Sequence, residues 1–160
     1  MQTDTGDVTE AAAATPVAEP VGHVGYVDVH FDDLDALGML HNSRYVVLVE
    51  RALGAYWTER GYTFSAGRPT KPDVFQVVRE LRVTYSFPVT QPSRLAVHFW
   101  VETMGRSSAT YRFRVLSEDL TVVHAEGSRV VVRVDPATRR PTPWTDEARA
   151  DVQAISAPSA

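Results

Sequence analysis

Cysteine is absent from this 160-residue chain, and lysine occurs only once, at Lys71. Without a thiol, the chain cannot form disulfides, zinc-thiolate sites or a cysteine nucleophile. No apolar run approaches the ~20 residues that cross a bilayer, so no membrane segment is expected. The Gly-x-Ser-x-Gly nucleophile elbow, the glycine-rich phosphate loop and paired zinc-ligand histidines are also missing.

An excess of positive charge is missing as well. Residues 1–20 hold four acidic side chains and no basic one, and the remaining 140 residues carry 16 of each sign. Proteins that bind nucleic acid generally need a basic excess to neutralise phosphates, so no nucleic-acid partner is expected. Hydrophobic residues make up 44% of the chain, which is ordinary for a globular protein.

The composition divides the chain into one domain and two tails. Residues 1–20 are rich in Ala, Thr, Pro and acid and show no periodicity, which is typical of a disordered tail. They lack the basic start and apolar centre of a secretory signal. We place the folded domain at residues 21–146 and a short C-terminal tail at residues 147–160.

Alternation of apolar and polar residues predicts about five β-strands. The second of them, from Phe75 to Phe87, has one apolar face that is interrupted by Arg79. The segments that alternate are 27–31, 75–87, 95–101, 109–115 and 122–134. Because the later connections are short, the last four strands are predicted to form an antiparallel meander.

A single apolar segment, from Tyr45 to Trp57, has the length of a helix. The preceding Asn42-Ser43 pair suits an N-cap, and a helix that is apolar almost all round must be buried almost all round. The fold class is therefore α+β, with an antiparallel sheet of about five strands wrapped around one long buried helix. The alternative is an ordinary α+β sandwich with the helix on one face.

A dense polar segment lies between the first strand and this helix. Three carboxylates, Asp32, Asp33 and Asp35, are followed by Gly38 and then by the helix start. A helix N-terminus offers unpaired N–H groups that suit a developing oxyanion, and a nearby carboxylate could act as base or nucleophile. The alternative is that these acids solvate a loop and favour the helix dipole. A calcium loop is excluded, because its twelfth position would be Arg44.

These motifs resemble the hotdog-fold thioesterases of the 4-hydroxybenzoyl-CoA thioesterase type. The similarity consists of a strand, Asp-x-Asp-x-x-Gly at 33–38, His-Asn-x-x-Tyr at 41–45 and the apolar helix, followed by four strands. Gly105-Arg106-Ser107-Ser108 and Pro143-Trp144 also look like the family. The resemblance covers about residues 22–145 and implies a hotdog fold and hydrolysis of acyl-CoA.

The resemblance also implies roles for individual residues. Asp35 would be the catalytic carboxylate, as nucleophile or as general base, and the backbone N–H of Asn42 would polarise the thioester carbonyl. His41 would be catalytic or would orient the loop. Asp33 would be a structural partner and Asp32 a surface residue. Some relatives lack this aspartate and rely on Asn and Arg instead, so the sequence leaves that mechanism open as well.

Substrate or CoA contacts are expected from Gly38, Tyr45, Arg106 and Ser107, with Arg106 a candidate for a CoA phosphate because arginine offers forked donors. The Arg139-Arg140 pair is a weaker phosphate candidate. Glu50 is either a second catalytic carboxylate or a paired residue in the interior or at a subunit contact. The loop 61–73 is either a substrate lid or a simple surface loop.

The expected protein is thus a cytoplasmic acyl-CoA thioesterase without a metal or cofactor. Three other functions stay open: a thioesterase acting on acyl carrier protein, a non-catalytic acyl-CoA binding module, and a hotdog dehydratase or hydratase. Hotdog proteins, by resemblance, dimerise into one continuous sheet with the active site at the interface. We therefore expect a homo-oligomer, either a dimer or a dimer of dimers.

Overall fold

Residues 21–158 are described by the computed structural model, so the predicted N-terminal tail lies outside the described residues. Within that range the chain forms seven β-strands and two α-helices. In chain order they are β1 (His23–Val29), α1 (Asn42–Glu59), β2 (Phe64–Ser65), β3 (Arg68–Pro69), β4 (Gln76–Tyr85), β5 (Ser93–Met104), β6 (Ser108–Ser117), β7 (Val123–Arg133) and α2 (Asp146–Val152).

The five long strands form one sheet in the order β1-β5-β6-β7-β4, and every neighbouring pair is antiparallel. The short strands β2 and β3 form a separate hairpin. An antiparallel sheet of five strands with a helix is therefore confirmed.

The predicted four-strand meander is wrong at its first connection. Strands β5, β6 and β7 form a meander, but β4 pairs with β7 at the far edge of the sheet. The connection between β4 and β5 runs over residues 86–92, which is longer than the alternation pattern indicates. Crossing three strand spacings requires about 14 Å, which a link of this length can span.

Strand β4 contains a β-bulge that changes its alternation. The register with β7 shifts between Val78 and Glu80. Because the bulge adds one residue, even-numbered positions face inward before it and odd-numbered positions face inward after it. The predicted single apolar face from Phe75 to Phe87 is therefore confirmed for Leu81, Val83 and Tyr85 and wrong before the bulge, where Val78 takes the place expected for Val77. Five residues of β4 are paired with residues of the inner face of β7, and we term them the inner row: Gln76, Val78, Leu81, Val83 and Tyr85.

Helix α1 has 18 residues and packs against β1, β5 and β6. One side of the helix is buried, and its buried residues are Tyr45, Leu48, Val49, Ala52, Leu53 and Tyr56. The opposite side exposes Glu50, Arg51 and Gly54 in the single chain. Burial almost all round is therefore not confirmed, since no described element covers the outward side. No helix among the described residues is long and apolar enough to cross a membrane.

The predicted C-terminal tail also needs correction. Helix α2 and the following turn place Ala148, Val152 and Ile155 in the core, so the chain stays folded well past residue 147. The helix start is fixed by the buried Asp73, whose carboxylate accepts hydrogen bonds from the backbone N–H and the hydroxyl of Thr145 at 3.0 and 2.7 Å. The small-residue composition concealed this helical apolar spacing.

Gly127 on β7 marks a close approach between neighbouring strands. A Cβ there would overlap the carbonyl oxygen of Arg82 and the ring of Phe113.

We expect Gly127→Ala to lower the free energy of unfolding by about 1–3 kcal/mol through overpacking. The matched control is Gly54→Ala on the open side of α1, where nothing lies within 4 Å. That change should raise stability by about 0.8 kcal/mol through helix propensity. Urea unfolding measures both, and equal effects would contradict this packing.

Candidate active site

The loop between β1 and α1 is held by its own backbone. Leu34 and Leu40 form a β-bridge, the Asp35 N–H donates to the Met39 carbonyl at 2.7 Å, and the Gly38 N–H donates to the Asp35 carbonyl at 3.0 Å. Gly38 has φ +74°, a conformation that suits glycine. It makes the turn and is absent from the lining of the cleft beside it.

Asp35 presents a carboxylate that is anchored on one side. Its Oδ1 accepts hydrogen bonds from the backbone N–H groups of Leu37 and Met39, at 2.8 and 3.1 Å. Its Oδ2 has no hydrogen-bond partner among residues 21–158. The side chain is half-buried, so one oxygen is positioned by the loop and the other is left for a ligand.

The neighbouring acids have structural or surface positions. Asp33 is 4% exposed, accepts from the His30 N–H at 2.9 Å and lies 3.5 Å from Nε of Arg44. Its carbonyl accepts the His41 N–H at 3.0 Å. Asp32 is exposed. This geometry agrees with Asp33 as a structural partner, because it ties the loop to the first turn of α1.

Helix α1 begins with a histidine cap. The Nδ1 of His41 accepts the Ser43 N–H at 3.2 Å and lies 2.9 Å from the Ser43 hydroxyl. The predicted Asn42-Ser43 cap is wrong by one residue, because an imidazole nitrogen replaces the usual short oxygen side chain. The Asn42 N–H at the first helical position makes no hydrogen bond to a described residue. It is one of the unpaired donors of a helix start.

Asp35, His41, Asn42 and Tyr45 line one cleft of about 440 Å³, together with residues that follow β4. Burial raises the pKa of the Tyr45 phenol, so this side chain stays neutral. Its ring meets the Tyr85 ring edge-on at 5.2 Å, and the Tyr85 hydroxyl donates to the Asn42 carbonyl at 3.1 Å. The structure thus brings four predicted site residues together.

Arg106 and Ser107 are not brought to this cleft. They follow β5, whose 12 residues span about 36 Å, whereas the cleft lies near the beginning of that strand. The Arg106 carbonyl accepts the Trp144 N–H at 3.0 Å. Ser107 lines a separate cleft of about 420 Å³ with Arg79 and Arg139. Within one chain, the predicted CoA contacts therefore form two distant groups.

Sequence reasoning missed Tyr85 and Phe87 as cleft residues. Their alternation indicates only a strand, and the connection from β4 to β5 brings them beside the helix start. Glu50 is paired, with its Oε1 3.2 Å from Nη2 of Arg129, as one of the two interpretations expects. The loop 61–73 carries the β2–β3 hairpin and does not line the Asp35 cleft.

Comparison with known proteins gives the family. The model of the thioesterase-like superfamily matches residues 29–152. This chain belongs to that superfamily. The thioesterase-like chain is accordingly a thioester hydrolase of the hotdog type. It is 30% identical over 117 residues to the acyl-CoA thioester hydrolase YbgC of Escherichia coli, covering 72% of this chain and 84% of YbgC.

Solved structures share the fold of this thioesterase-like chain. A thioesterase from Thermus thermophilus, complexed with coenzyme A and Zn, has a TM-score of 0.68 at 25% identity and covers 82% of this chain and 92% of its own. The DHNA-CoA thioesterase of Staphylococcus aureus has a TM-score of 0.68 at 20% identity, with 82% and 91% covered. Among residues 21–158, no group of three or more His, Asp or Glu side chains is arranged to hold a metal ion.

The cap at the start of α1 gives a prediction that separates structure from chemistry. We expect His41→Ala to lower the free energy of unfolding by about 1 kcal/mol, because the Ser43 N–H loses its acceptor. His41→Asn should retain most of that stability, since an asparagine oxygen can cap in the same place. Urea unfolding of the two variants checks this. Equal losses in both would show that the cap is not the source of the effect.

Proposed function

We propose that this protein hydrolyses acyl-CoA thioesters in the Asp35 cleft. The observation that carries the proposal is the pairing of two unsatisfied groups in one cleft: a carboxylate oxygen of Asp35 and the first N–H of α1, at Asn42. A thioester bound in this cleft would meet both groups, the N–H at its carbonyl oxygen and the carboxylate at its carbonyl carbon. The similarity to YbgC, an acyl-CoA thioester hydrolase, supports the choice of substrate.

The reaction follows from the position of these groups. The Asn42 N–H and the positive end of the helix dipole stabilise negative charge on the carbonyl oxygen. As general base, Asp35 takes a proton from water while the hydroxide attacks the carbonyl carbon. The tetrahedral intermediate then breaks its C–S bond, and the departing thiolate takes up the proton. The products are the free acid and CoA.

The nucleophilic route uses the same carboxylate. Asp35 attacks the carbonyl carbon, the thiolate leaves, and water then hydrolyses the resulting mixed anhydride. In both routes the bonds from Leu37 and Met39 fix one carboxylate oxygen, and the other oxygen reacts. We assign His41 to positioning, because its ring caps the helix that supplies the oxyanion donor.

A second copy of the chain would complete the site. Strand β4 is an edge of the sheet, and it exposes Val77, Val78, Leu81 and Tyr85. An uncovered apolar edge is a template for pairing with another chain. Antiparallel pairing of two β4 strands about a two-fold axis places the Gln76 end of one beside the Tyr85 end of the other. The Arg106 and Ser107 hairpin of one copy would then approach the Asp35 cleft of its partner, where CoA phosphates need donors.

We expect Asp35→Asn to lower kcat by about 10²–10⁴, because the amide can act neither as base nor as nucleophile. Asp32→Asn is the matched control, since Asp32 is exposed and should keep wild-type turnover. Thiol release from short, long and aromatic acyl-CoAs measures both. The protein has no cysteine, so a thiol-reactive dye reports only the product. Near-normal turnover of Asp35→Asn would refute the assignment.

Two other functions are outcomes of the same assay. Acyl-CoA binding without thiol release would favour a non-catalytic binding module. Release from acyl carrier protein but not from acyl-CoA would favour a carrier-protein thioesterase, which uses the same thioester chemistry.

The completed site requires an oligomer. We expect light scattering at micromolar concentration to give the mass of a dimer or of a dimer of dimers. A monomer that still hydrolyses acyl-CoA would contradict the proposal that the partner supplies the CoA contacts.

A further inference from the structure

Two clefts lie at the ends of the surface strip between α1 and the inner row of β4, and we term this strip the groove. At one end Tyr85 contacts the helix start, with its hydroxyl on the Asn42 carbonyl. At the other end Gln76 lies in a second cleft, with Glu50 and Trp57 from later turns of the helix. Between these ends the inner row contributes apolar side chains, which are Val83, Leu81 and Val78.

The second cleft has a volume of about 300 Å³, and we term it the distal cleft. Its apolar and aromatic walls come from α1, from the segment that follows it and from Val74. Its polar groups come from Glu50, Gln76 and Arg129 and from two threonines, Thr58 and Thr63. The lining residues used below are Glu50, Leu53, Trp57, Tyr62, Gln76 and Arg129. Polar and apolar groups contribute about equally to this lining, so the cleft suits the end of a ligand that carries a polar atom.

Arg129 is the unusual member of this lining. It lies on the inner face of β7, opposite Leu81 and Tyr111, and its side chain is 18% exposed. Among the described residues, Glu50 is its one ion-pair partner, and its Nε is buried without an acceptor. A guanidinium carries five N–H donors, and buried donors are nearly always paired. The Arg129 guanidinium therefore has fewer hydrogen-bond acceptors than N–H donors among the described residues, and it lies at the wall of a cleft.

The distance to the proposed reaction centre suits the length of an acyl chain. Asn42 and Glu50 are eight residues apart on α1, which corresponds to about 12 Å along the helix axis. Tyr85 and Leu81 are four residues apart on β4, which corresponds to about 13 Å. An extended acyl group whose carbonyl lies at the Asn42 N–H would reach Arg129 with its far end.

We propose that the distal cleft receives the far end of the acyl group and that Arg129 donates a hydrogen bond to an oxygen there. The substrate class would then be acyl thioesters with a hydroxyl or keto oxygen remote from the thioester. This inference rests on the proposed function, because it takes the thioester to lie at Asp35. Glu50 neutralises Arg129, so a neutral oxygen suits the cleft better than a second carboxylate.

The test compares chains of equal length with and without a terminal oxygen. Thiol release is measured for decanoyl-CoA and 10-hydroxydecanoyl-CoA. The wild type should show a kcat/KM about tenfold or more higher for the hydroxylated chain, the value of one hydrogen bond to a charged donor. The double variant Arg129→Met with Glu50→Gln should reduce that ratio to about one while it still hydrolyses decanoyl-CoA.

A matched ion pair on the other face of the sheet supplies the control. Arg112 and Glu102 are 2.9 Å apart, and the Arg112 side chain is 45% exposed, compared with 18% for Arg129. The double variant Arg112→Met with Glu102→Gln should keep the wild-type ratio. A wild-type ratio of one, or a ratio that the Arg129 variant leaves unchanged, would overturn the inference. Either result would mean that the cleft holds no acyl oxygen and favours its being covered by a second copy of the chain.

A binding measurement keeps this inference separate from the proposed function. Trp57 lines the distal cleft, so tryptophan fluorescence can follow the binding of the free acids. Tighter binding of 10-hydroxydecanoic acid than of decanoic acid, lost in the Arg129 variant, would support the distal cleft even if no acyl-CoA were hydrolysed. Equal binding of the two acids, together with equal kcat/KM values, would refute it while thiol release still supported the thioesterase.

Discussion

The position of helix α1 depends on the buried carboxylate of Asp33. This side chain accepts the His30 N–H at the end of β1 and pairs with Arg44 in the first turn of the helix, while its carbonyl accepts the His41 N–H. One residue thus joins the strand, the loop and the helix. A charge that is 4% exposed is stable only with such partners, so the loop has little freedom to rearrange. This arrangement also fixes the positions of Asp35 and of the Asn42 N–H.

Much of the fold could be predicted from the sequence, because period-two alternation and one long apolar segment are local signals. The same local signals gave wrong predictions where contacts between distant parts of the chain determine the structure. The bulge beside Arg79 changes the face of half a strand, and the connection after Tyr85 crosses the sheet. Helix α2 looked like a tail because its small residues become apolar anchors only against Trp144 and the core.

The candidate site divides in a similar way. Asp35, His41, Asn42 and Tyr45 lie within a short stretch of sequence, so a motif could group them before the structure did. Tyr85 and Arg129 are remote in sequence and carry no chemical motif of their own. Their relation to the helix follows from register, since Leu81 pairs with Arg129 and Tyr85 pairs with Ala125. No linear pattern contains that information.

The bulge in β4 has a consequence for the length of the groove. Gln76 and Tyr85 are nine positions apart, which is an odd number, so in a regular strand they would point to opposite faces of the sheet. The extra residue gives both ends the same face, and the Asp35 cleft and the distal cleft become two ends of one surface. A regular strand of the same length would keep the sheet paired but would turn one end of the groove outward. A one-residue deletion at Arg79, by contrast, would leave Gln76 and Tyr85 eight positions apart, so both would keep the same face and the strand would lose only its bulge.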